Sequence, residues 1–498
     1  MFNQLTSNFF FSRAGLFISS LLIITLSMSS WIVFSNNGIE ISNSIFTNDN
    51  FFKIPHTSLR FMLFTAGYIL LVYSFFRSLP KESIPNSFMR VIGIYSIFLF
   101  FILNLVTSNG LNSVSIILTI VSISYMIFYK KNISLNSNER LLALLSLLIF
   151  YFFISSAAYH DSHIREIDNY ARFLFIIPIY IFLRDIKLRP ILIFNAINIS
   201  SILIGLFAIY FYFIDEQNRV YGFTSTATIY GNISMLHLLL SIALFLYAVK
   251  NSSSIILPLA GIVFALFAII LSGSRGPLLA IPFVFLFILL INKVLLFKIK
   301  YVLLVLAGIL SLLYSTGISD RIFDGYNDIR SQNLNNLTTS WKATNSIRPR
   351  LIIWQGSINM ISEHPYWGVG LDNFNENLVN QINDKKIPAI RLDPSNPSGG
   401  FNHGHNQYLD LFAKTGVFGL IMFLLLLLTY FRLFYKALSY QKDTMIFGVL
   451  GIISVISYFA FMLTHVVLAH QQSILFMLYT LTIFASIISN RIKLEENK

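Results

Sequence analysis

The chain has no cysteine in its 498 residues, which excludes structural disulfides and thiolate metal sites. Charge is scarce too: Asp, Glu, Lys and Arg make up 11% of the residues, against about 25% in an ordinary soluble domain. No phosphate loop of the Walker type, dinucleotide fingerprint, internal repeat or lipidation signal is present, so the common nucleotide-binding, solenoid and lipid-anchored classes drop out. What is there is apolar. Hydrophobic residues form 55% of the chain and 49 residues are phenylalanine. That much apolar surface cannot be hidden inside a water-soluble core, so the sequence predicts an all-α polytopic membrane protein.

Apolar runs recur from end to end, each near the roughly 20 residues that a spanning helix needs, and they predict about 14 transmembrane helices. Eleven fall in residues 1–316: Ala14–Phe34, Leu59–Phe76, Val91–Val106, Leu111–Phe128, Leu141–Ala158, Phe173–Leu183, Ile191–Ile214, Ile229–Val249, Ile255–Leu271, Pro277–Ile291 and Tyr301–Thr316. The sixth is short and is expected to begin further back, near Asp168. Residues 317–408 form one long loop. Residues 409–498 hold the last three spans, Leu409–Phe431, Ile446–Leu463 and Ile474–Ile488.

Basic residues set the expected orientation, because short loops rich in Lys and Arg stay in the cytoplasm. With the N-terminus inside, the inner segments collect Arg77, Lys81 and Arg90, then Lys130, Lys131 and Arg140, then Arg184, Lys187 and Arg189, and later Arg432, Lys436 and Lys442. Both termini are thus placed in the cytoplasm and the long loop outside. The net charge of +13 is accounted for by this collar facing anionic membrane lipids, and gives no reason to invoke nucleic acid.

The long loop is expected to be partly helical. Pro349 to Ile361 reads as an amphipathic helix with Leu351, Trp354, Ile358 and Ile361 on one face, stopped by His364-Pro365. Ser395 to Gly400 has the composition of a mobile hinge and leads to His403 and His405.

Histidine is the side chain most easily poised to accept a proton near neutral pH, and the His403-x-His405 pair lies at the mouth of a predicted membrane helix. From spacing alone the pair also fits inert loop polarity, or a metal site with distant recruits such as His364. His160, His163, His465 and His470 fall on the same side as secondary candidates. Arg172, Arg219, Arg275 and Arg350 are assigned to that side as well. Each alone fits an interfacial charge or a partner for Asp161, Glu166 or Asp168; converging, they would describe a diphosphate site, since the guanidinium fork matches phosphate oxygens.

His405-Asn406, nine further residues, then Gly416-x-x-Gly419 resembles the signature of the O-antigen ligase superfamily, which includes lipopolysaccharide O-antigen ligases, Wzy-type O-antigen polymerases and bacterial O-linked oligosaccharyltransferases. The S-G-S-R-G turn at Arg275, R-L-x-x-W from Arg350 to Trp354, and H-P-Y-W-G-V-G-L-D-N-F from His364 to Phe374 support it. The resemblance implies a GT-C-like membrane glycosyltransferase of the bacterial inner membrane, without metal or cofactor, working at the periplasmic face. Its donor would be an undecaprenyl-diphosphate-linked glycan, and its acceptor a lipid A-core sugar or a second lipid-linked glycan. By the same analogy His405 would be the general base and Arg172, Arg219, Arg275 and Arg350 would hold the diphosphate. His403, Asn406, Trp354, Gly416 and Gly419 would support them.

Fourteen spans are more often associated with the polymerases, whereas the H-N-Q-Y-L-D wording resembles the ligases, and the expectation is a ligase with a polymerase as the alternative. A flippase or transporter of lipid-linked sugar is a third reading, from another class. It predicts two related halves and charges near mid-membrane, while here the polar chemistry crowds one face.

Overall fold

The computed structural model describes residues 32–35, 38–41, 87–107, 109–128, 135–186, 188–290, 347–391, 396–440 and 442–496. Two short antiparallel strands, β1 (Ile32–Ser35) and β2 (Gly38–Ile41), pair with Ile32 opposite Ile41. The first expected span, Ala14–Phe34, therefore does not stay helical over its last three residues. Its remainder, and the spans expected at Leu59–Phe76 and Tyr301–Thr316, lie outside the described residues, as do residues 317–346 of the long loop.

Among the described residues eight α-helices precede that loop: α1 (Ser87–Ile102), α2 (Gly110–Phe128), α3 (Ser137–Tyr159), α4 (Asp168–Asp185), α5 (Pro190–Phe213), α6 (Ala227–Lys250), α7 (Ile256–Ser272) and α8 (Ala280–Leu290). Within the loop lie α9 (Ile347–Glu363) and α10 (Phe374–Asn383), and after it come α11 (Gln407–Ala437), α12 (Lys442–Phe461) and α13 (Gln471–Glu496). Among the described residues seven helices, α2, α3, α5, α6, α11, α12 and α13, are long and apolar enough to cross a membrane, with shorter apolar helices in α1, α7 and α8. α4 starts at Asp168, as its sequence suggested.

Among those seven α13 is the most enclosed, packed on α4, α12 and α2, while α7 packs on α5 and α6. Close approach there depends on glycine: a Cβ at Gly205 of α5 would run into the Phe264 carbonyl of α7.

One end of the bundle is fastened by charge. Asn136 and Glu139 form a reciprocal capping box at the start of α3. Glu139 also takes a 2.8 Å ion pair from Arg184 at the end of α4, both side chains buried. Beside it Arg491 of α13 meets Asp443 of α12 at 3.1 Å, and Tyr247 of α6 donates to the same carboxylate.

A second, smaller core sits at the other end, built from Ile353 and Met360 of α9, Phe374 and Leu378 of α10, and Ala413 of α11. Here the expected face of α9 is corrected. The buried stripe is Ile353, Gly356, Ser357 and Met360, one residue round from the predicted one, and Ile358 is exposed. The small residues Gly356 and Ser357 hid this stripe from a hydrophobicity count. They are there because Leu378 packs against Gly356 and Ser357 returns its hydroxyl to the Ile353 carbonyl.

Candidate active site

The site is organised by a break in α11. Asn406 caps the helix, its side-chain oxygen accepting from the amides of Tyr408 and Leu409 at 3.0 and 3.2 Å, and its amide donates across to the Leu463 carbonyl. Ten residues on, Gly416 takes φ +68°, which interrupts the i to i−4 ladder. The interrupted bonds are replaced from the loop. Val417 donates to Pro365 O at 2.9 Å, while the carbonyls it and its neighbour would have used, Ala413 and Lys414, accept from Val369 at 2.9 Å and Gly370 at 3.0 Å. A broken helix at membrane depth is tolerated where protein satisfies the freed groups in this way.

The two signature glycines follow from that contact. A Cβ on Gly416 would strike the Tyr366 carbonyl, and one on Gly419 would strike Thr415 and crowd Phe152 of α3. The H-P-Y-W-G segment is the other half of the clamp: Trp367 stacks on Phe152 and its carbonyl lies 3.3 Å from His160 Nε2.

His405 immediately precedes the cap residue Asn406 and occupies the left-handed region, φ +50°, which a non-glycine residue holds only when its surroundings impose it. The residue before it, Gly404, is gripped on both sides. Trp354 Nε1 donates to Gly404 O at 3.0 Å, and Gly404 N donates to Asp410 Oδ1 at 2.9 Å. Asp410 is buried and paired with Lys414 at 3.4 Å. The ring of His405 lies edge-on to His403, centroids 4.4 Å apart; His403 lies 5.6 Å from His470, which stacks on His465 at 4.9 Å. Among the described residues no three His, Asp or Glu side chains converge in a metal-holding arrangement.

Burial holds these imidazoles in the neutral form. It pushes His405 down to about 3, assisted by His403 and Arg350 and opposed by the Asp410 carboxylate. His403 is also brought to about 3, by burial first and then by Lys414 and His470. An unprotonated imidazole is the state a proton acceptor requires.

The arginines reach the same region from three distant segments. Arg350, in the first turn of α9, is lowered by burial and by the neighbouring guanidinium groups of Arg219 and Arg275. Arg219, between α5 and α6, contacts Ser272 O and Ser274 Oγ, each at 3.4 Å, and so is seated on the S-G-S-R-G turn that carries Arg275. That turn rests on α6 and on the α12–α13 loop: Ser274 donates to Ala227 O, and a Cβ at Gly276 would run into Thr464. The structure therefore brings Arg219, Arg275 and Arg350 together, with Arg350 close enough to His405 to depress its basicity. Arg172 is engaged differently. Its guanidinium folds onto its own helix, donating to Asp168 O at 2.7 Å and Asn169 Oδ1 at 2.9 Å and pairing with the Asp168 carboxylate at 3.3 Å.

Asp410 and Lys414 were absent from the sequence-derived site, although an acid and a base four residues apart on an otherwise apolar helix was a visible signal. His465 and His470 gain a context only through packing, since the loop that carries them is tied to Gln407, whose amide donates to Met462 O and whose side chain accepts from Leu468. The expected hinge is tied down over its described part: Ile390 and Arg391 donate to Pro397 O, and Asn375 donates to Ser398 and Phe401.

Residues 260–424 match the family model described as O-antigen ligase. That stretch includes Arg275, Arg350, Trp354, His403, His405, Asn406, Gly416 and Gly419, and leaves Arg172 and Arg219 outside. The chain is also similar to an uncharacterized protein of Haemophilus influenzae, 29% identical over 388 residues that cover 76% of this chain and 94% of the relative. The domain match supports the O-antigen ligase superfamily for the stretch that carries His405, Arg275 and Arg350.

Proposed function

We propose that the protein is an O-antigen ligase that moves a glycan from undecaprenyl diphosphate to a sugar hydroxyl of the lipid A core. Under this reading it is an inner-membrane, GT-C-like protein of about 14 spans with both termini in the cytoplasm and the site at the periplasmic face. The observation that carries the reading is the meeting of Arg219 and Arg275 with Arg350, beside the neutral imidazole of His405.

The chemistry runs as one inverting displacement. His405 takes the proton of the acceptor hydroxyl, the oxygen forms its bond to the anomeric carbon, and the bond from that carbon to the diphosphate oxygen breaks with its electron pair leaving on the diphosphate. Arg219, Arg275 and Arg350 would meet that developing charge. Arg172 would hold the donor only after leaving Asp168. A lipid-linked donor also needs an apolar berth. A cavity of about 430 Å³ between α8, α11 and α12, lined by Phe283, Phe287, Tyr408, Ile456 and Phe459, lies three residues along the chain from the base and suits part of a polyprenyl chain.

The test is reconstitution with undecaprenyl-diphosphate glycan and either lipid A core or additional donor. Product on the core supports the ligase, and a lengthened donor replaces it with the Wzy-type polymerase. Passage of the lipid-linked sugar across the bilayer without any transfer would replace both with a transporter.

A further inference from the structure

The buried pair Asp410–Lys414 takes no part in the displacement, yet it is tied to the residue before the base. Asp410 is 2% exposed and Lys414 7%, on successive turns of α11 ahead of the break at Gly416. Lys414 places its ammonium 5.4 Å from the centre of the Phe374 ring and 3.4 Å from Asp410 Oδ1. The same oxygen accepts from Gly404 N at 2.9 Å. Burying two charges costs desolvation that an apolar pair would avoid, so a buried pair is poor evidence of added stability. It asks for another reason.

That reason lies in the next residue. His405 is held at φ +50°, and the residue that leads into it, Gly404, is fixed at its amide by Asp410 and at its carbonyl by Trp354, so both peptides around Gly404 are held. On the far side Asn406 is committed to the helix cap and to Leu463 O. Gly404 fits so closely over α11 that a Cβ there would meet the Asp410 backbone at 3.3 Å. The Gly404 amide donates to Asp410 Oδ1, the same oxygen that Lys414 pairs with.

We infer that Asp410 is a positioning residue, which through its hydrogen bond to the Gly404 amide holds His405 in the left-handed conformation that aims its ring at the acceptor. Lys414 serves Asp410, and Trp354 grips the following peptide, at the Gly404 carbonyl, from the loop side. This rests on the transferase reading of His405 for its effect on turnover, but the geometry it asserts is independent of that reading.

The experiment uses the full chain in lipid nanodiscs and two double variants of equal charge. Asp410→Asn with Lys414→Met keeps an oxygen for the Gly404 amide; Asp410→Ala with Lys414→Met removes it. With undecaprenyl-diphosphate glycan as donor, the alanine pair is expected to lose about tenfold or more in kcat while KM for the donor stays within about twofold, and the asparagine pair is expected to recover most of that loss. In parallel, carbethoxylation of His405 by diethyl pyrocarbonate is followed by peptide mass spectrometry. It should quicken by about threefold or more in the alanine pair only, as a half-buried ring gains solvent. Equal kcat in the two pairs, or equal carbethoxylation rates, overturns the inference. If either pair does not yield folded protein, the single variants Asp410→Asn and Asp410→Ala carry the same two readouts with the same expected split. A wild-type chain that transfers no glycan removes the transferase reading alone, because the carbethoxylation rates still report on the turn.

Discussion

Val369 donates its amide to the carbonyl of Ala413 at 2.9 Å, the acceptor that Val417 gives up where α11 breaks. A loop segment thus completes a helix long and apolar enough to cross a membrane, and residues of the proposed site hang from that joint: His405 at the start of the helix, Arg350 on the helix packed over it.

Replacing Gly416 tests the joint. Alanine at φ +68° is strained, and its Cβ would strike the Tyr366 carbonyl. Gly416→Ala is expected to cost about 2 kcal/mol or more, seen as a lowered melting temperature in detergent and lost transfer. Unchanged melting would show that the clamp between the loop and α11 is dispensable.

The roles of base and anion site predict that His405→Ala and Arg275→Ala each abolish glycan transfer without lowering the amount of protein in the membrane. Wild-type turnover in either variant, measured by product mobility on a gel, contradicts the proposed mechanism. Under the same proposal guanidinium groups meet the charge on the leaving group, so a chelator is expected to leave transfer intact.

Acid should loosen the site. His403 and His405 have folded pKa values near 3, far below the ordinary imidazole value of 6.5, so between those limits the unfolded chain binds more protons than the folded one. Stability then rises with pH across that window and falls on acidification below 6.5. Thermal unfolding at pH 7.5 and pH 5 should show the drop, and His403→Asn with His405→Asn should shrink it. An equal drop in that double variant would assign it to other groups.

At the opposite end, Glu139→Gln leaves the buried guanidinium of Arg184 without its 2.8 Å carboxylate. A loss of about 3–5 kcal/mol is expected for breaking a buried pair from one side. Glu139→Gln combined with Arg184→Met should restore part of it. Denaturant or heat unfolding of the three proteins decides this.

The sequence by itself determined the class of molecule and most of its helices, because apolar runs near 20 residues in length are a local property that needs no partner to be read. It also marked His405, as an imidazole at the mouth of an apolar run, while Asn406, Gly416 and Gly419 entered through the family resemblance, and the structure shows them to be a cap, a break and a close approach. Only the tertiary structure decided which charges meet. Arg219, Arg275 and Arg350 lie far apart along the chain and come together because the α7–α8 turn packs on α6 and the α12–α13 loop while α9 docks on α11. Arg172 carried the same sequence signal and turns back to Asp168. The α9 stripe was misread for a related reason: its buried face is chosen by the shape of Leu378 and α11, and shape is decided by packing.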